Sequence, residues 1–216
     1  MQKLAHKIIC VSEYQASFLQ QKKCVITVPN ALPQNFVNRL TPNFQAAFKR
    51  KHILMLGSLK LYKSPLEFIE LTKRLPQFIF VLVINDTKEN INIFIKEYKI
   101  NISKNLTIYP QQNDVVPFYN QTSLVLNLSN KKQFVETFGL TALEAMSAGL
   151  PVIVPTEGGI AEMVVDGENG YKIDVQNLNQ IAECIKTILS DETLYMELAQ
   201  NALAYSKRFS EAKMVN

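Results

Sequence analysis

The sequence predicts a doubly wound α/β fold, a parallel sheet with helices on both faces. Three observations carry that expectation. Short apolar runs alternate with amphipathic helical stretches along most of the chain. The run Phe78–Ile84 is apolar throughout, the pattern of a strand buried on both faces. Hydrophobic residues make up 47% of the 216 and charged residues 19%, enough apolar surface for a sizeable core.

The elements follow in chain order. Ile53 to Leu56 reads as a strand ended by Gly57. Ser64-Pro65 reads as an N-cap followed by proline at the first helical position, opening a helix with apolar Leu66, Ile69 and Leu71. Pro76 punctuates, and the strand Phe78–Ile84 follows. Ile91, Phe94, Ile95 and Tyr98 mark a second helix, Leu106 to Tyr109 a strand, and Val115 to Asn120 a short helix. Leu124 to Leu128 is expected as a strand, Thr141 to Ala148 as a helix closed by Gly149, and Pro151 to Val154 as a strand. The helix expected over Asp174 to Ser190 carries Leu178, Ile181, Ile185 and Ile188 on one face. Asp191 can cap a last helix running to about Tyr205.

Composition excludes several classes of function. The charge sum is +4, from 23 basic and 19 acidic residues, too weak and scattered to argue a nucleic-acid partner. The longest apolar run has seven residues, far short of a membrane span. Met1 to Val11 holds only a four-residue apolar run and does not read as a signal peptide. Cysteines at 10, 24 and 184 form neither a disulfide framework nor a zinc site, so a reduced, cytoplasmic setting is expected. His6 and His52 lack neighbouring ligands, and no Asp-x-Asp pair is present, so no metal is implied.

Glycine marks where chemistry concentrates. Six of the seven glycines fall between Gly139 and Gly170, and the seventh is Gly57. Ligands of open parallel sheets bind beyond the carboxyl ends of the strands. Gly57 and the stretch from Ser129 to Gly139 follow two such strands and are expected on that edge. A helix beginning near Gly139 would present the free amides of Gly139, Leu140 and Thr141 to an anion such as a phosphate. Glu136 would lie just before this helix and Glu144 inside it. Two carboxylates there suit sugar and ribose hydroxyls on either side of a diphosphate. Taken as an isolated pair, they read more simply as ordinary acids at a helix amino end, each favourable by up to ~1 kcal/mol.

The run Glu136-Thr-Phe-Gly-Leu-Thr-Ala-Leu-Glu144 has an E-x7-E pattern, with Glu-Ala-Met-Ser-Ala-Gly-Leu-Pro-Val continuing from Glu144. Glu157-Gly-Gly-Ile-Ala-Glu162 comes later, and Ile53-Leu-Met-Leu-Gly57-Ser-Leu-Lys-Leu-Tyr-Lys63 comes earlier. Together with Val28-Pro-Asn30 and Ile9-Cys-Val-Ser12, these segments resemble the donor-binding, carboxy-terminal half of a retaining GT-B glycosyltransferase of family 4, the group 1 transferases. The resemblance implies a Rossmann-like domain that binds a nucleoside diphosphate sugar of UDP or GDP type, with no further cofactor. It implies that Lys63 meets the diphosphate, that Phe138, Gly139, Leu140 and Thr141 meet the phosphates and sugar, that Glu136 acts at the transferred sugar and that Glu144 binds the ribose. Gly158 and Gly159 match a turn close to that site.

Two departures stand out. The family's arginine in its Gly-Arg pair is Ser58 here, with Lys60 as a nearby substitute, and the glycine of Pro-Asn-Gly is Ala31. The resemblance also implies a division into 1–27, a remnant of an amino-terminal acceptor domain and linker; 28–190, the donor domain; and 191–216, a helical segment packing toward that other domain. The expected function is hexosyl transfer to a glycan or lipid-linked acceptor in bacterial surface polysaccharide synthesis, at the inner face of the membrane, with the 216 residues alone inactive. A related sugar-nucleotide epimerase and a non-catalytic nucleotide-sugar binding module are the alternatives.

Overall fold

The computed structural model describes residues 6–20 and 24–214, the side chains of 212 and 213 excepted. Parts of the expected segments 1–27 and 191–216, namely 1–5, 21–23, 215 and 216, lie outside the described residues. The chain runs β1 (Ile8–Cys10), α1 (Glu13–Ser17), β2 (Val25–Thr27), α2 (Gln34–Val37), α3 (Phe44–Arg50), β3 (His52–Gly57), α4 (Pro65–Arg74), β4 (Ile79–Ile84), α5 (Lys88–Glu97) and β5 (Leu106–Tyr109). It continues with α6 (Val116–Asn120), β6 (Leu124–Leu126), α7 (Leu140–Ser147), β7 (Val152–Val154), α8 (Gly159–Glu162), β8 (Gly170–Lys172), α9 (Leu178–Ser190), α10 (Glu192–Ser206) and α11 (Glu211–Met214).

Six strands form one sheet in the order β5-β4-β3-β6-β7-β8, and every neighbouring pair is parallel. The expected Rossmann-like, doubly wound sheet is what the chain builds. From β3 the chain winds outward through β4 to β5, then returns to the other side of β3 with β6 and winds out through β7 to β8. Right-handed crossovers therefore place α4 and α5 on one face and α7 and α8 on the other. Packing agrees, because α4 lies against α9 while α10 lies against α3 and α7. Strands β6 and β7 are buried along their whole length, as fits strands covered on both faces.

Several local expectations need correction. The helix read from Asp174 begins at Leu178, because Asn177 caps it by accepting the Gln180 N–H (3.3 Å) while Asp174 accepts the Gln176 N–H (3.0 Å) in the preceding turn. Helix α7 starts one residue earlier than expected, with Gly139 at its N-cap at φ 90°. Ser64 does occupy the N-cap position of α4, but in the left-handed region at φ 57°, and its side chain makes no capping bond. A serine caps from extended backbone; here the hydroxyl is instead buried without a hydrogen-bond partner. Asp191 caps α10 as expected, accepting the Leu194 N–H at 3.0 Å.

Beyond the main sheet, β1 and β2 pair in parallel as a separate two-stranded sheet. Helix α10 belongs to the main core, with Tyr195, Leu198, Ala199 and Ala202 fully buried. Only the chain after it turns back toward residues 32–34, through a bridge between Leu32 and Ser210 and the Gln34 N–H donated to Glu211 (3.1 Å). Among the described residues no helix is long and apolar enough to cross a membrane.

Candidate functional site

The strand order reverses between β3 and β6, and the loops leaving their carboxyl ends part there. Such a switch point is where an open parallel sheet leaves a crevice. A cavity of about 650 Å³ occupies it. Its walls come from the β3 loop (Gly57, Ser58, Lys63), the β6 loop (Ser129, Glu136, Thr137) and the start of α7 (Phe138, Gly139, Leu140, Thr141), with Asn85 and Gln112 from the outer loops. Seven of the ten site residues expected from sequence thus border one cavity. They are Ser58, Lys63, Glu136 and the run 138–141.

The other three, Glu144, Gly158 and Gly159, are not part of that lining. Glu144 accepts a hydrogen bond from the hydroxyl of Tyr119, a buried residue of α6, at 2.5 Å. Burial pushes the Glu144 carboxyl above its ordinary range, and the Tyr119 hydroxyl partly offsets this by favouring the charged form. Gly158 and Gly159 pack beneath the β6 loop. A Cβ at Gly158 would come within 2.4 Å of the Glu136 carbonyl oxygen, and one at Gly159 within 1.9 Å of that of Thr137. Their smallness is what lets α8 support the backbone that carries Glu136.

The same four-residue helix is held from its other side. The Glu162 carboxylate accepts the backbone N–H of Glu13 (3.1 Å) and that of Tyr14, and the Tyr14 hydroxyl donates to Glu157 at 3.2 Å. The Ile160 side chain fills the space beneath Gly139, where any Cβ would meet it at 2.4 Å.

Within the cavity, the charged groups find each other. Lys63 Nζ forms an ion pair with Glu136 Oε1, and Ser129 Oγ donates to that same oxygen at 2.9 Å. The two side chains are 23% and 15% exposed, so solvent screens the pair only in part. Sequence reading assigned both residues to the site yet missed this pairing, which joins positions 73 residues apart. Lys60, the sequence substitute for the missing arginine, is exposed and lies outside the lining; its N–H approaches Ser58 Oγ at 3.4 Å. Asn127 bridges to α7 by donating to Thr141 Oγ1 at 3.3 Å, and it accepts the Ser129 N–H at 3.1 Å.

The family profile of "Glycosyl transferases group 1" matches residues 39–205, more than three quarters of the chain and all of the cavity's lining but Asn30. The chain belongs to the group 1 glycosyltransferases. An uncharacterized glycosyltransferase of Methanocaldococcus jannaschii is 39% identical over 80 residues, 37% of this chain and 23% of that protein. The N-acetyl-alpha-D-glucosaminyl L-malate synthase of Bacillus anthracis is 29% identical over 137 residues, 63% of this group 1 chain and 35% of the synthase. The crystal structure of Anabaena HepE in complex with UDP and glucose superposes with a TM-score of 0.82 at 22% identity, covering 98% of this chain and 61% of HepE. The chain therefore spans less than two thirds of each of these relatives. The structural likeness establishes the Rossmann-like domain of a GT-B glycosyltransferase as the fold of this group 1 chain.

Proposed function

We propose that this domain binds the nucleoside diphosphate sugar of a retaining hexosyltransferase. The observation that carries the reading is the cavity at the switch point, where one lysine, the amino end of α7 and the Glu136 carboxylate converge. A helix amino end and an ammonium group favour a diphosphate and stabilise the negative charge that builds on it as it leaves. Gly139, with no side chain, allows the phosphates to approach the backbone. The UDP and glucose named for HepE support a UDP-type donor.

Glu136 takes the transferred sugar in this reading, and Glu144 the ribose. The Lys63–Glu136 ion pair adds a consequence. An arriving diphosphate competes with Glu136 for Lys63, and the exchange frees the carboxylate to meet the sugar hydroxyls and positive charge at the anomeric carbon. The acceptor, a glycan or lipid-linked sugar of a bacterial surface polysaccharide, is proposed to be supplied with groups outside this domain, so that the 216 residues transfer sugar negligibly. The setting is proposed as the cytoplasmic side of the membrane.

Calorimetry on two variants tests the assignment. Glu136→Gln should bind free UDP or GDP as well as the parent or more tightly, since a like charge and a rival for Lys63 disappear, and should weaken binding of the nucleotide sugar. Glu144→Gln should weaken both ligands alike. If both variants bind every ligand as the parent does, the glutamates are ordinary helix acids and the assignment is wrong.

Glu144 carries a further expectation in pH. A carboxyl that ionises less readily folded than unfolded binds protons preferentially in the native state. Its cost is absent below the ordinary carboxylate range and grows as pH rises through the raised range. Glu144→Gln still accepts from Tyr119 and removes that cost. Its Tm should exceed the parent's at pH 7 and converge with it near pH 4; a lower Tm at pH 7 would show that the charged form is the stabilising one.

A further inference from the structure

We propose that Phe134, backed by Tyr62, positions the Lys63 ammonium for the diphosphate. The inference rests on the donor-binding reading and concerns residues that neither the E-x7-E run nor the glycines point to. The rings of Tyr62 and Phe134 stack at 4.8 Å with an interplanar angle of 27°. Lys63 Nζ lies 4.5 Å from the Phe134 ring centre and 5.8 Å from that of Tyr62. An ammonium within about 6 Å of a ring face is held by the ring's quadrupole.

The pair spans the switch point. Tyr62 sits on the β3 loop and Phe134 on the β6 loop, and the two loops are tied by the Asn130 N–H donated to the Tyr62 carbonyl at 2.8 Å. The Phe134 N–H in turn donates to the Asn130 carbonyl at 2.9 Å. The aromatic stack is therefore anchored at both ends by backbone bonds.

Lys63 has two kinds of partner, a carboxylate and an aromatic ring, and they behave differently when a diphosphate arrives. Glu136 accepts the ammonium's hydrogens and competes with phosphate for them. The ring attracts the positive charge without accepting a strong hydrogen bond, so it can keep its hold while the hydrogens turn to phosphate. A lysine is a point charge on a flexible four-carbon stem, and fixing that stem costs entropy that a planar, two-pronged guanidinium loses less of. Where a second cation is absent, as at Ser58, prior ordering of the remaining one contributes more to binding.

The test is calorimetry of the 216-residue chain with UDP, GDP, uridine and guanosine, using the tighter-binding diphosphate for comparison. Phe134→Leu should weaken diphosphate binding by about three- to tenfold and leave the nucleoside unchanged. Phe134→Tyr should bind like the parent, and Tyr62→Leu, which removes only the backing ring, should show a smaller loss. In a Lys63→Ala background, Phe134→Leu should have no further effect, because its partner is gone. The proposal is overturned if Phe134→Leu costs nothing, costs the nucleoside as much, or costs the same without Lys63. Should Lys63→Ala itself leave diphosphate binding intact, the donor-site reading falls and the positioning role falls with it. An intact Lys63 effect with no dependence on Phe134 removes the positioning role alone.

Discussion

Lys63→Ala is expected to weaken binding of UDP or GDP by roughly ten- to a hundredfold, the worth of a charge-assisted contact of ~1.5–3 kcal/mol, with uridine and guanosine nearly unaffected. The structure adds a reason to expect the upper part of that range. Lys63 is the counterion of Glu136, which is only 15% exposed. Removing the lysine leaves that carboxylate facing the diphosphate with the Ser129 hydroxyl as its remaining donor among the described residues. The variant thus loses an attraction and gains a repulsion. The double variant Lys63→Ala with Glu136→Gln should recover part of the loss in titration calorimetry. Equal losses for nucleoside and nucleoside diphosphate would place Lys63 away from the phosphates.

Gly159→Ala should be the most damaging of the glycine-to-alanine changes. The added Cβ would lie 1.9 Å from the Thr137 oxygen, 2.6 Å from its carbonyl carbon and 2.7 Å from Ser12 Cβ. Two of those atoms are backbone and cannot swing aside. Overpacking of this kind typically costs about 1–3 kcal/mol, and each kcal/mol is worth about 2–4 °C of Tm for a chain of this size. Relief requires moving the segment that carries Glu136, so affinity for the nucleotide sugar should fall together with Tm. Gly57→Ala provides the contrast. Its Cβ would meet only Lys63 Cβ, at an ordinary 3.9 Å, so the fold should keep its Tm while the methyl intrudes on the cavity. A Gly159→Ala protein with parental Tm and affinity would show that α8 does not set the loop's position.

Much of this architecture was legible because burial on both faces writes itself into sequence as unbroken apolar runs. Strands β3 to β7 and the helices between them follow those runs closely. Strand β8, Gly170-Tyr-Lys172, has no such run. It forms because it pairs with β7, and a side chain at Gly170 would strike the Val152 carbonyl at 2.4 Å. Ser64 shows a different limit: Ser-Pro is a sound signal for where a helix starts, but it does not reveal the serine's φ, on which capping depends. Motif spacing brought Glu136, Lys63 and the α7 amides to one site. It carried no sign of the partners each would find, since the Lys63–Glu136 and Phe134–Lys63 contacts join the loops after β3 and β6, and the Tyr119–Glu144 contact joins the helices on either side of β6.

Helix α8 is barely one turn long, and that brevity has a mechanical meaning. One flank is clasped by the amides of Glu13 and Tyr14, and the other bears directly on the carbonyls of Glu136 and Thr137. A long helix can bow and a loop can slacken, but a single turn wedged between two stretches of backbone behaves as a strut. Strain applied at Ser12–Tyr14 has little compliant material to be absorbed in before it reaches the carboxylate at the cavity wall. The Ser12–Tyr14 segment and the cavity wall are, in this sense, one stiff member.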